Sequence, residues 1–169
     1  MKKFLSLLLV ICMMIPAFAL AEDAVKIGQV EYAAHGTKCF AVMTVAMQGD
    51  KIADAYIDEF QFMAADTSVG VPNSDADFGQ SYPEGKVLAS KKVNAAAYSE
   101  NMAAAGSTIS LDANYAAIED FVTGKTVAEL EAAIEGKTAE EMVDAVSGCT
   151  LVDTLGYVKG LIEAAKAAK

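Results

Sequence analysis

The strongest constraint in this sequence is the separation of its two hydrophobic patterns. Up to residue 60 the apolar residues of the body of the chain come in dense, β-rich runs; after residue 92 they come at helical spacing behind helix-start signals. Val25 to Tyr32, Lys38 to Gln48 and Lys51 to Phe60 read as strands, and Gly49-Asp50 between the last two is a hairpin signal. The second run is apolar at nearly every position (Phe40, Val42, Met43, Val45, Met47), which predicts cover on both faces. In the third, strict alternation puts Asp54 and Asp58 on the face of Ile52, Tyr56 and Phe60. In the later part, Ala95 to Ala105 stops at Gly106, and Ser110-Leu111-Asp112 opens a segment through Phe121 that Gly124 ends. Thr126 with Glu129, and Thr138 with Glu141, are capping boxes, each followed by a short amphipathic run. Leu151, Leu155, Val158, Leu161, Ile162 and Ala165 predict a last helix from about Leu151 to Ala168. The pattern is α+β: a small antiparallel sheet in the N-terminal half packed against C-terminal helices.

Between the two parts, Met63 to Lys86 holds Gly70, Pro72, Asn73, Gly79, Pro83 and Gly85. A connection of this length is functional or disordered, and Phe78 and Tyr82 favour order. Gly-Lys-Thr occurs at 124–126 and at 136–138, where it is a helix stop followed by a helix start; it lacks the upstream glycine spacing of a phosphate-binding loop.

The mean hydropathy of +0.31 is concentrated at the front of the chain. Lys2 and Lys3 precede an apolar run from Phe4 to Ile15, Pro16 breaks it, and Ala19-Leu20-Ala21 is a small-x-small cleavage site. Residues 1–21 therefore read as a secretory signal peptide and 22–169 as one exported domain, extracellular or in the cell envelope. Removing two of the 13 lysines leaves 11 bases against 23 acids, a mature charge of −12, and there is no arginine. That composition excludes nucleic acid as a partner, since phosphate neutralisation and base reading need basic side chains. It suits a cationic redox partner or plain solubility.

Two cysteines remain after cleavage, Cys39 and Cys149. An even pair in an exported protein permits one disulfide, and the expectation is that the two lie close enough to bridge; the alternative is two small buried thiols. With one histidine and no C-x-x-C there is no Cys/His zinc set. His35, before Gly36 at a strand end, reads first as a turn residue, and Lys91-Lys92 as a solvated helix start rather than an anion holder. Asp75-Ala76-Asp77 lacks the spacing of an EF-hand.

The run Asp144-Ala145-Val146-Ser147-Gly148-Cys149-Thr150 joins two helices. Gly148 suits a helix end, and Thr150 an N-cap with Asp153 three residues on. A threonine hydroxyl among free N–H groups would also stabilise a phosphate. This segment resembles the flavinylation motif of the FMN-binding domain family: Asp, two variable residues, Ser or Thr, Gly, usually Ala, then Thr. Cys149 stands where that family usually has Ala, and it is small enough to keep the turn. The early hairpin around Gly49-Asp50 and a helix after the Thr also resemble the family, so the likeness covers most of the mature chain, with the Thr motif its specific part.

The resemblance implies FMN joined to Thr150 by a phosphoester, with Ser147, Gly148 and Cys149 shaping the turn and Asp144 orienting it. It implies a flavin transferase that uses FAD for maturation, and redox partners at the membrane or cell surface. The chain would be an electron carrier rather than an enzyme with its own substrate. Neither the resemblance nor the sequence assigns the residues that line the ring; His35, Tyr82 and Asn94 are named only as candidates. A flavin-free extracellular binding module of the same fold is the alternative.

Overall fold

The computed structural model describes residues 24–169; the leader expected over residues 1–21 lies outside the described residues. The fold is α+β. Four strands, β1 (Lys26–Tyr32), β2 (Cys39–Gln48), β3 (Lys51–Ala64) and β4 (Lys86–Ser90), form one antiparallel sheet in sequence order. Five helices follow: α1 (Ala95–Ala104), α2 (Leu111–Val122), α3 (Val127–Ile134), α4 (Ala139–Ala145) and α5 (Thr154–Lys166). Among the described residues no helix is long and apolar enough to cross a membrane.

The hairpin at Gly49-Asp50 forms as expected, but strict alternation fails in β3. The β2–β3 register shifts opposite Ala46 and Met47, so that Met47 pairs Ile52 while Ala46 pairs Asp54, and Ala53 is the extra residue. A bulge of this kind moves everything before it to the other face. Ile52 is consequently buried with Ala55 and Ile57 on the inner face, whereas Asp54, Tyr56, Asp58 and Phe60 stay on the outer one.

The helices cover the inner face alone. The apolar side of α5 (Tyr157, Val158, Leu161, Ile162) and that of α2 (Leu111, Tyr115, Ile118, Val122) pack with Ala41, Met43, Val45, Ile52 and Ile57 in one core. Glycine lets α5 come close to the sheet side at three points, one of them Gly28 of β1, where a Cβ would strike the Ala164 carbonyl. A Cβ on Gly160 would strike the Met43 sulfur, and one on Gly156 would strike the Ala34 carbonyl. The Gly156 contact brings the first turn of α5 against the β1–β2 loop, beside His35. Both capping boxes form, with Thr126 and Thr138 accepting from the N3 amides while Glu129 and Glu141 reach back to the cap amides. Those backbone bonds hold both carboxyls below the usual carboxylate range.

The cover expected on both faces of β2 is absent on the outside, where Phe40, Tyr56 and Phe62 are exposed. The 65–85 connection is ordered against that side. The Val71 amide donates to Leu88 O at 2.8 Å, a short 3₁₀ turn spans Asp77–Ser81, and Tyr82 meets Phe62 and Phe78 edge to face. β4 carried no recognisable strand signal, being five residues long between turns; its pairing with β3 from Phe60↔Ser90 to Ala64↔Lys86 places it at the sheet edge.

Candidate functional site

One end of the inner face is left open. There α1, the α1–α2 loop, the start of α2 and the α4–α5 turn stand around a cleft of about 550 Å³. That volume is within the range of small-molecule sites, about 300–1,000 Å³. Its walls are Tyr98, Met102, Leu111 and Leu151; Ser107, Thr108 and Thr150 supply hydroxyls; His35, Lys91, Asp153 and Tyr157 make its polar end.

Behind that polar end lies Glu59. In β3 it follows Ile57 on the inward parity, so its carboxylate enters the core and is 0% exposed. One oxygen, Oε2, takes the Lys91 ammonium, the Tyr157 hydroxyl at 3.0 Å, and lies 3.5 Å from His35 Nδ1. The other, Oε1, has no partner among the described residues. Burial raises a carboxyl's pKa, but the bonds from His35 and Lys91 and the charge of Lys91 win, and Glu59 is held below the carboxylate range.

The solvated reading of Lys91 is wrong. Lys91 is 1% exposed, on Glu59, 3.2 Å from His35 Nδ1 and 4.8 Å from the centre of the Tyr98 ring. The β4 strand that the sequence hid explains this: Ser90 ends it facing outward, so Lys91 turns inward. Burial alone would push this ammonium down; the hydrogen bond and charge of Glu59 hold it above its ordinary value. Lys92 turns the other way, to Glu119 Oε1 at 2.9 Å and over the Tyr56 ring. His35, half exposed, bridges outward through Nε2 to Asp153 Oδ2 at 3.6 Å. Burial also drives the hydroxyls of Tyr157 and Tyr115 well above the usual tyrosine range, so both are donors throughout the physiological range.

His35, Cys39 and Glu59 each bring one metal-ligating atom within 4.8 Å of the others. The set does not suit a cation. The Lys91 ammonium already sits on the same carboxylate oxygen, and burial followed by the Glu59 charge pushes the Cys39 thiol up to about 11, so it is protonated. Its proton goes to the His35 carbonyl at 2.6 Å.

Thr150 is exposed and lines the cleft, but it does not cap α5. The helix starts at Thr154, because Leu151 O accepts both the amide of Thr154 at 3.1 Å and its hydroxyl at 2.5 Å, making a turn of residues 151–154. The Thr150 amide instead donates to Asn114 Oδ1 at 2.7 Å. Asn114 is fully buried, and its amide nitrogen donates to Ser110 O and Ile109 O, so it ties the Thr150 turn to the start of α2. Asn114 is a site residue that the sequence reading missed. Its signal is a polar residue inside the Leu111, Asn114, Tyr115, Ile118 stripe. Glu59 gives a similar one, an acid on the inward parity of a strand.

Of the other motif residues, Asp144 shares with Thr150 a second, smaller hollow of about 290 Å³ beside α4, with Glu140, Val143 and Val152. Gly148 has φ +86° just past α4. Ser147 is exposed and lines neither hollow; Cys149 turns inward, its sulfur 3.0 Å from the Thr154 hydroxyl. The expected bridge is not made: Cys39 and Cys149 are free thiols, one engaged with His35 and the other with Thr154. Of the three candidates to line a ring, only His35 borders the cleft. Tyr82 belongs to the outer aromatic cluster, and Asn94 clamps the 65–85 connection through Val69 N and O.

Set against family models, curated proteins and solved structures, the chain matches none of them.

Proposed function

We propose that this chain is an exported electron carrier with FMN joined to Thr150 by a phosphoester. One observation carries the reading: Thr150, an exposed residue, borders a ring-sized cleft whose walls are apolar and aromatic and whose far end is polar. The residues suit the group. Tyr98, Met102 and Leu111 offer flat apolar contact to an isoalloxazine, and Lys91, His35 and Tyr157, themselves gathered on Glu59, give the cleft a polar end with the Lys91 charge beside it. When bound, FMN supplies the electron-transfer chemistry; the chain supplies placement and charge.

Attachment follows a simple balance. The Thr150 oxygen forms a bond to the FMN-side phosphorus of FAD, the pyrophosphate bond breaks, AMP leaves and the hydroxyl proton goes to solvent. Asn114 Oδ1 accepts from both the Thr150 amide, at 2.7 Å, and the Thr150 hydroxyl, at 3.4 Å, and so fixes the attachment residue at the cleft rim. The amides of Leu151, Val152 and Asp153 have no acceptor among the described residues and are available to the phosphate. A tether also keeps the cofactor's effective concentration high outside the cell, where released FMN would be diluted, so no arginine clamp is required. Cys149 fits the same turn as the family's usual Ala, since its thiol is buried away from Thr150.

Coexpression with a flavin transferase tests this. The intact mass of the wild type gains one FMN less one water, and the band fluoresces in a denaturing gel. Thr150→Ala loses both signals and Ser147→Ala keeps them. A wild type that stays colourless beside an active transferase overturns the reading and leaves a flavin-free binding module.

A further inference from the structure

The Glu59–Lys91 pair is asymmetric in a way that stability alone does not explain. Lys91, His35 and Tyr157 line the cleft; Glu59, to which all three are bound, does not. The positive member of the pair is therefore the one that borders the cleft, buried in its wall with 1% of its side chain exposed, and the negative member lies behind it. Every donor approaches one oxygen, Oε2, while Oε1 is buried and has no partner among the described residues. Here the carboxylate serves as a pedestal that keeps an ammonium charged in an apolar place, with the Tyr98 ring on its other side at 4.8 Å. Lys91 is also the one lysine among the residues that line the cleft, in a chain whose formal net charge is −10.

We infer that Lys91 would raise the reduction potential of a flavin bound in this cleft, by holding a buried cation on the cleft wall. The inference rests on the FMN reading above. When bound, a flavin would supply the redox chemistry and become more negative on reduction, a state that a fixed cation on the wall of a low-dielectric cleft would favour. Glu59 acts through Lys91, as a positioning residue. Asp153, at the rim and 36% exposed, opposes the effect weakly because solvent screens it.

The test is the midpoint potential of flavinylated protein by redox titration, after flavin content and folding are measured for each variant. In Lys91→Met the ratio of reduced to oxidised flavin at a fixed potential falls at least tenfold, which is about 30 mV more negative for a two-electron couple. Lys91→Arg restores most of the wild-type value. The Glu59→Gln/Lys91→Met double variant removes both charges together, a change that buried pairs tolerate in folding, and it also shifts negative. If Lys91→Met does not fold, this variant carries the test. A folded, yellow double variant with the wild-type potential overturns the inference alone, since Lys91 would then do no more than cancel Glu59. A wild type without flavin overturns the FMN reading and this inference with it.

Discussion

Asp58 and Glu59 are neighbours on β3, both buried, and they point to opposite faces of the sheet. Asp58, on the outer face, takes the Ser90 hydroxyl on both oxygens, at 2.8 and 2.7 Å, and lies 3.3 Å from the Lys92 amide. Its donors are neutral, and they close the junction of β4 and α1, where the Ser90 oxygen also accepts from the Val93 amide. Glu59, on the inner face, crowds an ammonium, a phenol and an imidazole onto one oxygen and leaves the other bare. The first carboxylate completes a turn. The second carries charge to the wall of a cleft. Adjacent acids of similar burial thus differ in whether their hydrogen bonds are spent on the backbone or held toward an open space.

The comparison breaks most visibly on stability. Lys91→Met leaves Glu59 buried and uncompensated, and unfolding in urea should show a loss of about 3–5 kcal/mol. The Glu59→Gln/Lys91→Met double variant should recover most of it. An equal loss in both would mean that the polar pair itself, rather than its charge balance, supports the fold.

On the other face, Ser90→Ala removes the hydroxyl that Asp58 holds between its two oxygens and should cost about 1–3 kcal/mol, the range for a buried acceptor left short of partners. Flavin loading and potential should not move, since Ser90 and Asp58 do not border the cleft. A shifted potential in Ser90→Ala would abolish the division of roles between the two acids.

The pair also shapes stability against pH. Glu59 is depressed below its ordinary 4.5, so its contribution is present above that value and is lost as pH falls through the lower folded value. Lys91 is raised above its ordinary 10.5, so its contribution is present below that value and is lost as pH rises through the higher folded one. Urea midpoints measured across pH should therefore show an acid limb and an alkaline limb that both flatten in the double variant.

The smallest effects are expected at Thr150 and Cys39. Because Thr150 caps no helix, Thr150→Ala should change stability by no more than about 0.5 kcal/mol, while abolishing flavin attachment. Cys39, with its thiol pushed up to about 11, should alkylate with iodoacetamide at pH 8 far more slowly than a free thiol. Fast labelling there would show that the Glu59 cluster opens in solution.

How much of this was legible in the chain differs by element. The hairpin at Gly49-Asp50, the two capping boxes and the stops at Gly106, Gly124 and Gly136 are local devices, set by a few adjacent residues and so readable from them. The bulge at Ala53 was not readable, because a one-residue offset is fixed by what Ile52 packs on and not by its neighbours in sequence. The early end of the expected helix at Thr150 was lost for a similar reason: Asn114, 36 residues away, takes the amide that a helix start would have left free. In the site, Thr150 was singled out from its motif, whereas Glu59 and Asn114 carried only the weak mark of a polar residue on an apolar face, and Lys91 looked like surface.

The amino-acid sequence by itself determined that strands precede helices, that the sheet is antiparallel, where most helices start and stop, and that the chain is acidic with no arginine to hold a phosphate. Those are consequences of side-chain periodicity, backbone capping and composition, which act over a few residues or over the whole chain at once. Only the tertiary structure decided that Glu59, Lys91, His35 and Tyr157, drawn from β3, the β4–α1 turn, the β1–β2 loop and α5, meet at one point. The physical reason is burial. A charge far from its partner in sequence has no reason to be paired until folding removes both from water, and it is that removal which turns Lys91 from a solvated side chain into a fixed cation on the cleft wall.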